Sequence, residues 1–271
     1  MKVMFFDIDR CNGCYCCQVA CKDEHVGNDW TPIAKPQPDI GQFWLKLTDV
    51  VQGSVPKVRV RYMLEICQHC DDAPCITACQ TKAVYKRDDG IVIIDPEKCT
   101  GSRQCQDACP YGVIYFNDEL NIAQKCTLCA HLLDDGWKVP RCVDACPTDA
   151  LRFGEESELQ EQLAGAESLK PERGTRPRVF YKGLLNRFFI AGAVFDPVED
   201  ECLEGCTVTL TGLDGTSITT LTDDFGDFWF ERLEPGKYSV AVKKHGYQNV
   251  ERDEIAASKD INLGDIELYK E

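Results

Sequence analysis

The sequence predicts an α+β fold in two parts: a region of short helices and strands organised around cysteine-bound centres, then a small antiparallel β-sandwich or barrel. Three observations carry this expectation. Sixteen of the eighteen cysteines lie between Cys11 and Cys146, and they form four groups that share one closing Cys-x3-Cys step. From about Phe188 the composition changes to Thr, Val and aromatic runs broken by turn residues, with only Cys202 and Cys206 among them.

Composition narrows the function classes. A chain of 271 residues is long enough for two domains with cores of their own. Its formal charge of -15, from 30 Lys+Arg against 45 Asp+Glu, comes without a basic block, so nucleic acid is not an expected partner. No apolar run approaches the ~20 residues a membrane-spanning helix needs, so direct membrane insertion is not expected either. The stretch MKVMFFDIDR leads straight into Cys11 with no apolar signal segment. The expected compartment is therefore cytoplasmic, and ligand thiols are expected rather than disulfides.

The first part, residues 1–153, carries the cysteine groups between short apolar runs. Ala83 to Lys86, the turn Asp88-Asp89-Gly90 and Ile91 to Ile94 read as a hairpin. Further short strands are expected at Val113 to Phe116 and Leu151 to Phe153. Residues 154–187 read as a connector, with a helix over Glu155 to Ala166 that places Leu159 and Leu163 on one face. A returning strand is expected over Pro177 to Tyr181. In residues 188–271 the breaks Asp196-Pro197, Asp214-Gly215, Asp224-Phe225-Gly226 and Pro235-Gly236 space short strands as a small sandwich does.

The first cysteine group, Cys11, Cys14, Cys17 and Cys21, has the C-x2-C-x2-C-x3-C spacing of bacterial ferredoxins once Cys16 is set aside. Three thiolates on a tight loop grip three corners of a cubane, and the fourth, a helical turn later, reaches toward a second cube. The second group, Cys67, Cys70, Cys75 and Cys79, adds two residues before the third ligand. The fourth, Cys126, Cys129, Cys142 and Cys146, has a longer insertion at the same place. The third, Cys99, Cys105 and Cys109, carries Ser102 where a second cysteine is expected, and a serine oxygen suits iron–sulfur clusters less well than a thiolate.

Such groups complete one another in pairs. The second and third flank one hairpin, which leaves the first and fourth to each other. The expected sets are Cys11, Cys14, Cys17 and Cys146; Cys126, Cys129, Cys142 and Cys21; Cys67, Cys70, Cys75 and Cys109; and the incomplete set Cys99, Ser102, Cys105 and Cys79. Three 4Fe-4S clusters follow, or four if the last set binds one. Zinc ribbons also use C-x2-C pairs, but they give no reason for four triplets each followed by a cysteine four positions on.

Other residues carry less. His25, His69, His131 and His245 fill no missing ligand position, so they are expected around the centres or at the surface. Cys16 is expected to be a buried free thiol, Cys202 and Cys206 to be structural, and Tyr15 and Trp137 to pack near the cofactors. No nucleophilic triad, phosphate loop or paired-carboxylate site stands out, so no residue of this chain is expected to be catalytic.

These motifs resemble a known family. Asp7-Ile8-Asp9-Arg10-Cys11, Ala73-Pro74-Cys75, Asp95-Pro96-Glu97-Lys98-Cys99, Cys109-Pro110-Tyr111-Gly112 and Lys125-Cys126-Thr127-Leu128-Cys129 are similar to the electron-transfer subunits of dimethyl sulfoxide reductase-family molybdenum enzymes. The likeness covers roughly residues 1–185. It implies a tandem ferredoxin-like 4Fe-4S domain, a heterodimer with a large catalytic subunit, and molybdopterin held only in that partner. Some members replace the cysteine at the Ser102 position. Separately, Val194 to Pro197, Thr222 to Phe228, Leu233 to Tyr238 and Gly246-Tyr247 resemble the carboxypeptidase-regulatory or transthyretin-like β-sandwich.

Overall fold

A computed structural model describes residues 1–184 and 187–271, so residues 185 and 186 of the expected connector lie outside the described residues. The chain divides into two compact units, Met1–Val50 with Arg61–Gly183 and Val51–Val60 with Leu184–Glu271.

The first unit opens with β1 (Lys2–Asp7), buried at every position after Lys2, as a strand covered on both faces should be. After the first cysteine loop comes α1 (Cys16–His25), then a long hairpin, β2 (Leu45–Ser54) and β3 (Lys57–Ile66), whose outer part, Val51–Val60, belongs to the second unit. Next follow α2 (Pro74–Ala78), β4 (Val84–Lys86), β5 (Val92–Ile94) and α3 (Gln104–Asp107). A second hairpin and two more short helices come after them as β6 (Tyr115–Asn117), β7 (Ile122–Gln124), α4 (Ala130–Asp134) and α5 (Arg141–Asp144). The unit closes with β8 (Leu151–Glu155), α6 (Gln160–Leu163), β9 (Glu167–Ser168) and β10 (Val179–Lys182).

Its main sheet has the order β8-β1-β10-β9. β1 runs antiparallel to β8, with Phe6 opposite Leu151, and parallel to β10, with Met4 opposite Val179. Two small hairpins, β4-β5 and β6-β7, repeat one another. The sequence-predicted strand at Val113 to Phe116 sits later, at Tyr115–Asn117, because Asn117 pairs with Ile122 across a tight turn. The helix expected over Glu155 to Ala166 shrinks to α6. Glu155 is held as a strand residue opposite Lys2, and Gly165 at φ +76° stops the helix at its other end.

The second unit is a β-sandwich of β11 (Phe188–Asp196), β12 (Glu201–Cys202), β13 (Thr207–Gly212), β14 (Ser217–Leu221), β15 (Asp227–Leu233), β16 (Gly236–Lys243), β17 (Val250–Ala257) and β18 (Ile261–Glu267). One sheet has the order β12-β11-β15 with β18 pairing β11 in parallel; the other is β14-β13-β16-β17. Strict alternation builds the core: Val208 and Leu210 face in against Phe228, Phe230, Val240 and Val242. Thr209 and Thr211 face out, and their hydroxyls meet Thr219 at 3.2 Å and Ser217 at 2.9 Å. Gly226 is required by its turn, since φ is +77° and a Cβ would lie 2.4 Å from the Val194 carbonyl oxygen. Cys206 is fully buried and points its thiol at the Leu203 carbonyl, whereas Cys202 is exposed. Neither forms a disulfide.

Candidate metal centres

The four cysteine groups share one backbone form. The residue before the second ligand position is left-handed in every group: Gly13 at φ +71°, His69 at +45°, Gly101 at +77° and Leu128 at +51°. A non-glycine side chain is uncommon there, and such residues cluster where a backbone is shaped for a function. The bend turns peptide N–H groups toward the sulfurs, as at Leu128, whose nitrogen lies 3.3 Å from the Cys126 sulfur. The third ligand position is always the second residue of a helix: Cys17 in α1, Cys75 in α2, Cys105 in α3 and Cys142 in α5. The group containing Ser102 keeps this whole backbone, so the serine occupies a ligand position in a loop otherwise built like its neighbours.

Packing of α1 on α5 and of α2 on α3 brings the groups together in pairs. Burial pushes the Cys17 thiol up to about 12, and the like charges of Cys11, Cys146 and Cys14 push in the same direction. Cys142 is raised well above its ordinary value by burial and then by Cys129, Cys21 and Cys126. Burial takes Cys75 to about 12, with Cys67, Cys109 and Cys70 adding to the rise; these four cysteines line one cavity with Val92 and Ile114. Cys105 rises to about 11 by burial and by Cys99 and Cys79. Ser102, beside this last group in sequence, is exposed.

The donor chemistry fits iron–sulfur cubanes. None of the eighteen cysteines is paired in a disulfide. Thiols gathered in threes and fours inside the protein repel one another as thiolates, and a multivalent centre removes that repulsion. Among the described residues no three His, Cys, Asp or Glu side chains stand at the spacing of a single bound ion. One zinc ion draws its sulfurs to ~2.3 Å from a common point, whereas a cubane spreads its ligands over four irons.

The surroundings are partly aromatic and partly polar. His25, 2% exposed, stands 4.0 Å from the Cys129 sulfur through Nε2 and packs at 4.5 Å on Trp44. Burial, helped by His131, lowers its pKa to about 3, so the ring is neutral. His131 meets Glu24 at 3.0 Å and stacks on Trp30 at 4.4 Å. His245 is exposed. Tyr62 covers Gly13 so closely that a Cβ there would fall 2.1 Å from the ring, and Tyr15 meets Tyr62 edge-on. Trp137 is 41% exposed and lies under the Arg141 guanidinium. Cys16, expected to be buried, is exposed: it opens α1, and Cys17 turns inward in its place. Lys125 is buried beside the centres, and the only sign of this in the sequence is its place directly before Cys126.

Residues 58–156 match the 4Fe-4S dicluster domain, and residues 190–269 match the carboxypeptidase regulatory-like domain. The chain therefore joins a tandem iron–sulfur electron carrier to a β-sandwich. It is 37% identical over 276 residues to the pyrogallol hydroxytransferase small subunit of Pelobacter acidigallici, covering 98% of each chain. Against a tetrathionate reductase subunit of Salmonella typhimurium the identity is 35% over 193 residues, covering 68% of this chain and 73% of the other. Against the arsenate respiratory reductase iron–sulfur subunit of a Shewanella species it is 32% over 231 residues, covering 66% and 94%. The chain belongs to the iron–sulfur electron-transfer subunits of the molybdenum oxidoreductases. It carries 4Fe-4S clusters and no catalytic site of its own; molybdopterin belongs to the large partner subunit. No helix among the described residues is long and apolar enough to cross a membrane.

Proposed function

We propose that this chain is the electron-transfer subunit of a cytoplasmic pyrogallol–phloroglucinol transhydroxylase, an enzyme that moves a hydroxyl group between phenols at molybdopterin in the large subunit. The observation that carries this reading is the likeness to the Pelobacter small subunit along 98% of both chains, cysteine groups and sandwich alike. In this reading residues 1–153 hold the centres, 154–187 connect, and 188–271 form the sandwich domain.

The ligand sets we assign are Cys11, Cys14, Cys17 and Cys146; Cys126, Cys129, Cys142 and Cys21; and Cys67, Cys70, Cys75 and Cys109. The like-charge repulsion within each set and the cavity around Cys75 support them. The fourth set, Cys99, Ser102, Cys105 and Cys79, lacks one thiolate and is assigned no cubane. Because hydroxyl transfer between phenols is redox-neutral overall, the clusters serve to set and keep the oxidation state of the partner's molybdenum. The test is co-purification with metal and activity analysis: a molybdenum-containing heterodimer that converts pyrogallol supports the reading. A heterodimer that reduces tetrathionate or arsenate and leaves pyrogallol untouched overturns it.

A further inference from the structure

Lys125 is 2% exposed, and an ammonium so deep needs a counter-charge. Among the described residues no carboxylate pairs with it. Its Nζ donates to two carbonyls, that of Val92 and, at 3.0 Å, that of Cys126. Carbonyls satisfy its N–H groups but cancel no charge. Val92 is held from the other side as well, because its N–H donates to His69 Nδ1 at 3.0 Å and β5 fixes its strand. The cation is thus rigidly placed between the β4-β5 hairpin and the loop that begins at Cys126.

We propose that the Lys125 ammonium is the shared counter-charge of two neighbouring clusters, the one on Cys67, Cys70, Cys75 and Cys109 and the one on Cys126, Cys129, Cys142 and Cys21. It raises the reduction potential of both. The inference rests on the ligand sets assigned above. The lysine's two carbonyl acceptors tie it to both sets: Cys126 is a ligand of one, and Val92 lines the cavity that Cys67, Cys70, Cys75 and Cys109 of the other also line. Each cluster takes up one electron on reduction, supplied by the adjacent centre or by a chemical titrant, and no bond or proton need change. A fixed positive charge favours the reduced form at both. With an effective dielectric of ~20, a unit charge within about 12 Å changes a one-electron equilibrium about tenfold. Tenfold corresponds to about 59 mV.

The test is an anaerobic dithionite titration of the full chain with its clusters, followed by electron paramagnetic resonance, for the native protein, Lys125→Gln and Lys125→Arg. In Lys125→Gln, which keeps a donor and removes the charge, two cluster signals should move to lower potential by at least tenfold in equilibrium while the third stays. Lys125→Arg should retain the clusters and the native potentials. Loss of clusters from the glutamine variant alone also supports a charge requirement. A glutamine variant with full cluster content and unmoved potentials overturns the inference and leaves the ligand sets standing. Loss of clusters from the arginine variant overturns it too, since a retained charge should suffice. Native protein without 4Fe-4S signals would remove the ligand assignment and this inference with it.

Discussion

Replacing Cys142 with alanine probes the pairing of the first and fourth cysteine groups. Cys142 is 4% exposed and lies in the first turn of α5, where its charge environment is set by Cys129, Cys21 and Cys126. If these four residues hold one cubane, it lies beside the cubane of Cys11, Cys14, Cys17 and Cys146, which links the same segments; the loop it alone closes, with twelve residues between Cys129 and Cys142, is worth ~3 kcal/mol by chain-entropy arithmetic. Cys142→Ala should then lose about four irons and four sulfides per chain, since a cubane holds four of each. Its anaerobic unfolding free energy, from the denaturant midpoint and slope, should fall by an amount of that order. Hydrogen exchange should rise in α1 and α5 together, the two helices left with one inorganic link in place of two. The assays are iron and acid-labile sulfide analysis, guanidinium titration and exchange mass spectrometry. Unchanged iron content would refute the pairing, and so would increased exchange confined to α5.

Four further outcomes follow from the same geometry. Ser102→Cys should add about four irons per chain, because the surrounding loop already has the form of a ligand loop; unchanged iron would contradict the reading of three complete sets. Gly13→Ala should lose the cluster of Cys11, Cys14, Cys17 and Cys146, because the new Cβ would meet the Tyr62 ring at 2.1 Å on a left-handed residue; electron paramagnetic resonance counts the remaining centres. Phe228→Ala should destabilise the sandwich by about 3–5 kcal/mol, since the ring is 1% exposed in its core, and calorimetry would detect the shift. The cluster-free chain should be labile to alkali. Its thiols at Cys17, Cys75, Cys126 and Cys129 are raised to about 12 from an ordinary 9.0. Unfolded thiols would ionise first, so stability present below pH 9 is lost as pH rises toward 12. The cluster-loaded chain should lack this dependence in circular dichroism followed against pH, because its thiolates are already bound to iron.

Cysteine spacing made the centres legible because a cubane fixes the reach between its ligands, and that reach survives insertions such as the one between Cys129 and Cys142. The sandwich was legible for a similar reason: Val208 and Leu210 alternate with outward threonines at the period of a strand. The β2-β3 hairpin was not, because its buried apolar residues sit only at its base, at Leu45, Leu47, Leu64 and Ile66, and the outer residues give a period-two apolar pattern nothing to repeat. The helix the sequence predicts over Glu155 to Ala166 is longer than α6 for the opposite reason. Leu159 and Leu163 have helical spacing, but pairing of Glu155 with Lys2 on β1 takes the first turn into a strand. Tertiary contacts decided those segments, and local pattern could not carry them. Lys125 shows the same limit at the site, since nothing in a single lysine before a cysteine says that it is buried.

Iron and acid-labile sulfide analysis of the anaerobically purified native chain tests the central claim most directly. Three complete ligand sets predict about twelve of each per chain. Zinc without sulfide, or iron without it, would contradict a fold built around shared cubanes.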